Sequence, residues 1–151
     1  MVKTTHSLLP LTTTALFAAA ITACSTTGGP STNVSSLLLD ATGQNGRACL
    51  DVKDIRGYGV LDGDVISINT NREYYLATVL PGCMDLQMST HAMFKQRFGE
   101  ICGGGMDSVR TGGDNCTIRN IFEFENRESA FAVHDQVMEK QAELREAARA
   151  Q

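Results

Sequence analysis

The five cysteines are the strongest constraint on what this chain can fold into. Cys49, Cys83, Cys102 and Cys116 are spread through the middle of the sequence, and Cys24 stands apart at the end of an apolar run. No two of them form the C-x-x-C pair on which structural zinc sites and thiol redox centres usually draw. Widely separated cysteines predict disulfides instead, and disulfides persist in an oxidising compartment. An odd count leaves one thiol to be spent otherwise. Four cysteines allow three pairings. The preferred pairing joins Cys49 to Cys116, as opening and closing strands of a small barrel, and Cys83 to Cys102 across the excursion between them. In the chain-entropy picture those bridges contribute about 4 and 3 kcal/mol, a large share of the stability of so small a domain.

The fate of Cys24 follows from what precedes it. Met1 to His6 carries Lys3 as its one fixed positive side chain, Leu8 to Ala23 is mostly Leu, Ala, Phe and Ile, and small residues close the segment. That is the three-part layout of a secretory leader. Thr12, Thr13 and Thr14 interrupt it, and it falls short of the about 20 apolar residues a spanning helix needs. Its end, Ile21-Thr22-Ala23-Cys24, is similar to the lipobox of bacterial lipoproteins. The resemblance implies cleavage after Ala23, a diacylglyceryl thioether on Cys24 and an acylated amine. One acyl chain binds a bilayer only marginally, whereas several hold firmly. Ser25 stands where an Asp in the resembling lipoproteins favours inner-membrane retention, so the expected address is the outer membrane, facing the periplasm. With Cys24 consumed, the four remaining cysteines are even. The formal charge is −4, and the basic residues are scattered singly. That gives no footprint for nucleic acid.

The expected organisation is a lipoprotein signal peptide at 1–23, a lipidated Cys24 with a flexible tether over 24–45, a β-rich domain at 46–125 and a C-terminal helix at 126–151. The tether reading rests on the Gly- and Ser-rich run Ser25 to Ser36, while Leu37 to Leu39 is either a first packed patch or an apolar piece of the tether. Strands are predicted over Cys49 to Leu61, with a bend at Gly57 and Gly59, then Val65 to Thr70, Glu73 to Leu80, Met106 to Thr111 and Cys116 to Phe124. Ile66 and Ile68 alternate with Ser67 and Asn69, and Tyr75, Ala77 and Val79 lie opposite Tyr74, Leu76 and Thr78, which suits a sheet with a covered face. Asp62-Gly63-Asp64 marks a turn. Asp85 to Gly99 reads as an irregular connection with a helical turn, from which Leu86, Met88, Phe94 and Phe98 cover a barrel mouth. Beyond Glu125 the chain lacks Gly and Pro, Asn126 caps a helix, and Phe131, Val137, Met138, Ala142 and Leu144 form a modest apolar stripe. The fold expected is mainly β, a small disulfide-stapled barrel or sandwich with a C-terminal α-helix.

"CLDVKDIRGYGVLDGDVISINTNREYYLATVLPGC" and "CGGGMDSVRTGGDNCTIRNI" together resemble an uncharacterised domain family of small exported and lipidated proteins of Gram-negative bacteria. Cys49, Ile55, Arg56, Val60, Leu61, Asp62, Cys83, Cys116, Ile118 and Ile121 carry the resemblance, and Asp62-Gly63 replaces the Asp-Asp of the pattern. What it implies is a compact β-rich periplasmic domain of unknown function.

No constellation points to catalysis. Asp51, Asp54, Asp62 and Asp64 do not match the calcium-loop spacing, and turn or strand-edge roles are expected for them. Gly103-Gly104-Gly105 lacks the lysine of a phosphate loop and reads as a flexible turn. His91 and His134 are joined by no signature to a nucleophile. Asp54, Arg56, Tyr58 and Asp62 are the side chains that could face a ligand. The chain is therefore expected to be a non-enzymatic binding or accessory lipoprotein, without cofactor or metal. Its expected partners are the membrane through Cys24 and an envelope protein through the C-terminal helix. The rival readings are helix-mediated assembly and a small periplasmic enzyme using Asp54, Arg56, Asp62 or His91.

Overall fold

The computed structural model describes residues 32–96 and 98–150, so the leader and Cys24 lie outside the described residues. The elements are α1 (Val34–Thr42), β1 (Cys49–Asp51), a 3-10 turn (Val52–Asp54), β2 (Gly57–Asp62), β3 (Val65–Asn69), β4 (Tyr74–Val79), α2 (Met84–Met88), β5 (Met93–Lys95), β6 (Glu100–Cys102), β7 (Ser108–Arg110), β8 (Asn115–Phe124) and α3 (Arg127–Arg149). Six strands form one antiparallel sheet in the order β2-β3-β4-β8-β7-β5, and β1 pairs with β6 beside it. The protein is mainly β, with two disulfides and a C-terminal helix.

The hub is β8. Its long run of apolar and polar residues pairs with β4 along one edge and with β7 along the other. That second edge also receives the chain at Gly46 and Ala48, where the Ile121 amide donates to the Gly46 carbonyl at 2.8 Å and the Ala48 amide donates to the Ile121 carbonyl at 3.2 Å. A register shift opposite Thr78 and Val79 lets Ile118 and Ile121 share the inner face, although three positions separate them. Such a bulge bends the strand and raises its twist.

The sheet is covered on both faces. On the inner face, Ile66, Ile68, Tyr75, Ala77, Val79, Ile118 and Ile121 meet Leu50, Leu86, Ile101 and Val109. The outer face, with Val65, Tyr74, Leu76, Phe122 and Phe124, lies under Val34 and Leu38 of α1 and Ala130 and Val137 of α3. Two-sided burial explains why β4 is buried at every position. The edge strands β2 and β5 approach through Tyr58 and Phe94, stacked edge to face with centroids 6.3 Å apart, so the sheet curls into a barrel left open along that seam.

α2 spans the open mouth. Leu86 points into the inner core, while Asp85 ties one side of the helix to the β7–β8 turn: its amide donates to Asp114 Oδ2, and the Gly113 amide donates to its Oδ2, both at 2.8 Å. Leu86 and Phe94 thus provide the expected cover, but Met88 and Phe98 do not; they are 83% and 93% exposed. The irregular connection contains β5 and leads into β6.

Four further expectations change. The disulfides are Cys49–Cys102 and Cys83–Cys116 rather than Cys49–Cys116 and Cys83–Cys102. Cys49 and Cys102 stand directly opposite across β1 and β6, and β6 was the strand the pattern did not reveal. Cys116 faces the core from β8, where it fastens the start of α2. The expected strand from Cys49 to Leu61 is broken by the 3-10 turn, which Asp51 caps by accepting from the Lys53 amide. The tether assigned to 24–45 holds α1 in its second half: Asn33 caps it through Ser35, Gly43 ends it at φ 65°, and Leu38 is fully buried. The buried stripe of α3 is Ala130, His134, Val137 and Gln141, with Ala142 exposed. Its N-cap is Asn126, as expected.

Candidate functional site

The four side chains proposed to face a ligand do not converge. Asp54 and Arg56 are exposed beside the β3–β4 turn, where Arg56 Nε donates to Asn71 Oδ1 at 2.6 Å. Tyr58 is half-buried at the barrel seam, its hydroxyl donating to the Ser89 carbonyl at 3.4 Å. Asp62 lies at the far end of β2, about 17 Å along the strand from Gly57 at the usual rise. Asp51 pairs with Lys53 at 2.6 Å, an exposed ion pair that holds its carboxyl below the usual range. His91 is exposed and His134 is buried on α3, far apart in the chain and on separate elements.

Cys49, Glu100 and Cys102 present donor atoms within 4.8 Å of one another. The two sulfurs are already bonded to each other, which removes the thiolates a metal would require.

Asp62 instead belongs to a polar cleft of about 280 Å³ between the β2–β3 turn, the end of β4, the start of α1 and the last third of α3. The sequence places each wall there for a local reason. The Gly63-Asp64 turn ends β2 and presents Asp62 and Asp64 on one side. The β8 bulge turns Arg119 toward the cleft, and the long helix brings Arg145 and Gln141 over it. Its floor is a set of buried polar side chains: Ser35, Thr78 and Gln141 are all at most 4% exposed. Thr78 Oγ1 donates to Ser35 Oγ at 3.2 Å, Ser35 Oγ donates to Asn120 Oδ1, and Gln141 Nε2 donates to the Thr32 carbonyl at 2.7 Å. Buried hydroxyls and amides of this kind are retained when they are hydrogen-bonded.

Four charged side chains line the cleft. Among the described residues, Arg119, Arg145, Asp62 and Asp64 take part in no ion pair within 4.0 Å; the Lys and Arg pairs present are Lys53–Asp51 and Lys140–Glu143. Two cations and two anions therefore line one small space without neutralising each other in contact. A larger groove of about 500 Å³ runs between α1 and α3, floored by Leu37, Ala41 and Val137. The signal in the sequence for the cleft was the V-L-D turn with Asp62; Arg119 and Arg145 gave none, because a lone Arg on a strand or helix reads as a solvated surface residue.

Residues 6–143 match a family described as "Family of unknown function (DUF6491)". No curated protein and no solved structure matches the chain.

Proposed function

The chain belongs to the DUF6491 family, whose function is unknown, and we propose from its own geometry that it is a lipid-anchored envelope protein whose domain is a non-catalytic binding module for a small zwitterionic ligand. The observation that carries this reading is the polar cleft with Asp62 and Asp64 on one side and Arg119 and Arg145 completing its charged lining, over hydroxyl and amide groups. A ligand bearing both a carboxylate and an ammonium group answers both charge signs. No histidine or cysteine lines the cleft among the described residues, so it offers no nucleophile–base pair of the kind that activates a serine or a thiol.

The anchor reading is supported by Ile21-Thr22-Ala23-Cys24. Thr32 and Asn33 are themselves part of the cleft wall. Lipid on Cys24 would hold that wall within about 28 Å of the bilayer, even with the intervening residues fully extended. The cleft then opens near the membrane surface, facing the periplasm from the outer membrane.

Two experiments test the parts separately. Intact mass of the membrane-extracted protein, with and without reduction, is expected to give a start at Cys24, the mass of three acyl chains and two disulfides; a soluble product without acyl mass overturns the anchor. Thermal denaturation against a panel of free amino acids and dipeptides is expected to raise the Tm for at least one. The rise should be lost in Arg119→Ala/Arg145→Ala, a change at two exposed side chains. No rise, or an equal rise in the variant, overturns the ligand class.

A further inference from the structure

We propose that the capped mouth of the barrel binds a soft monovalent cation, Cu(I) or its redox-inert analogue Ag(I), through the thioethers of Met84, Met88 and Met93 and the imidazole of His91.

The distribution of methionine is the first ground. The chain has 6 methionines, and three of them fall between positions 84 and 93 together with His91. Methionine is ordinarily a core filler, yet Met84, Met88 and Met93 are 76%, 83% and 69% exposed. The helix explains how. Leu86 is fully buried in the inner core, and residues two positions to either side of it on α2 must point away from that core. Met84 and Met88 are therefore a same-face i,i+4 pair, with Cβ atoms about 6 Å apart, on flexible arms that let both sulfurs reach one ion.

The rest of the set follows from how the chain leaves the helix. Tyr58 holds the Ser89 carbonyl at the barrel seam, and the Ser89 hydroxyl donates to the His91 carbonyl at 2.8 Å. This turn carries the chain from α2 through His91 to Met93, which opens edge strand β5 five residues beyond Met88. Met93 pairs with Arg110, next to the same β7–β8 turn that anchors Asp85. His91 Nδ1 shares a 2.9 Å hydrogen bond with Thr90 Oγ1. With the proton on Nδ1, the Nε2 lone pair is left for a metal, the usual arrangement of a ligating histidine with a second partner.

The donor set decides the ion. Thioether and imidazole select soft Cu(I), while hard divalent ions want carboxylates and carbonyls. The one carboxylate between these residues in sequence, Asp85, is engaged by the Gly113 amide, and the Cys83 sulfur is consumed by its disulfide. An apolar docking face fits less well, because Asp85, Gln87, Ser89 and Thr90 interleave the methionines with polar groups.

The test uses the full chain bearing Cys24→Ser, so that no free thiol competes, with methionine labelled at its ε-methyl carbon. One equivalent of Ag(I) in chloride-free buffer is expected to shift the Met84, Met88 and Met93 methyl resonances and the His91 ring, leaving Met106 and Met138 in place. Competition against a Cu(I) chelator is expected to show at least a hundredfold loss of affinity in Met84→Leu/Met88→Leu/Met93→Leu and about a tenfold loss in His91→Ala. The leucines keep the shape and the apolar character of an exposed surface, so the fold should survive, as an unchanged melting curve would verify. Absent shifts, equal shifts at exposed Met106, or undiminished affinity in the triple variant would overturn the site.

Discussion

Gly103 shows how narrowly one position can determine the fold. A Cβ there would lie 1.9 Å from the Gly46 carbonyl oxygen and 2.7 Å from the Ile121 amide nitrogen, both backbone atoms that cannot step aside. The expected cost of Gly103→Ala is about 3 kcal/mol, at the upper end for overpacking. Gly104→Ala, at φ 129° with open space around it, should cost about 1 kcal/mol from backbone strain alone; denaturant titration of the pair checks the contrast. The run reads as a flexible turn in the sequence, since glycine looks the same whether it is needed for mobility or for contact. Here the Gly104 and Gly105 amides donate to the Arg119 and Ile118 carbonyls at 2.8 and 2.9 Å. Strand parity was legible: Ile66, Ile68, Tyr75, Ala77 and Val79 all face the inner core as the alternation predicts. Tyr75 has a further consequence. Burial first, then the charges of Glu123 and Glu73, pushes its phenol up to about 12. A proton held more tightly in the folded state favours folding below the ordinary tyrosine pKa of about 10. That stability is lost as pH rises through about 12. Tyr75→Phe should flatten the alkaline limb of a stability profile between those values.

At the scale of elements, length governed what could be read. β8 and α3 announce themselves through many residues of consistent pattern, whereas β5, β6 and β7 have three residues each and owe their strand character to the partners they meet. The pairing of the cysteines went astray for that reason: without β6 there was no strand to place Cys102 opposite Cys49. α2 is equally dependent on its surroundings, having five residues and no side-chain cap. Cys83–Cys116 and the Asp85 contacts hold it. Removing that bridge in Cys83→Ser/Cys116→Ser should cost about 4 kcal/mol by loop entropy and should raise amide exchange in α2 above that in β3 and β4. The Thr111 hydroxyl, and then the Gly113 amide, keep the Asp85 carboxyl below its ordinary value of 3.8. A lowered carboxylate pKa contributes stability above the unfolded value that disappears as pH falls through the folded one. Asp85→Asn should therefore lessen the acid sensitivity of the melt below about pH 4.

For the whole molecule, the sequence disclosed a β-rich core with a helix after it but not that both faces of the sheet are buried. The missing information was α1. Its polar Asn33, Ser35 and Ser36 resemble the linker before them, and it is Val34 and Leu38, packed against the outer face, that give it a reason to be helical. Leu38→Ala should cost about 3 kcal/mol by cavity formation, measured by the shift in the denaturation midpoint. His134, buried in α3 with Nε2 lacking a hydrogen-bond partner among the described residues, should behave in the opposite sense: His134→Leu is expected to gain about 1 kcal/mol by relieving that desolvated group. The cleft was half legible, through Asp62, because its other walls come from distant parts of the chain. The pairing of α1 with α3 also carries a consequence for synthesis. The ribosome delivers α1 before every strand and its partner after all of them, and β8, on which β4 and β7 both close, precedes that partner by only two residues. A nascent chain stopped short of Asn115 has neither its central strand nor the share of the outer cover that α3 supplies, so the domain must wait, unfolded and oxidisable, until β8 and α3 appear.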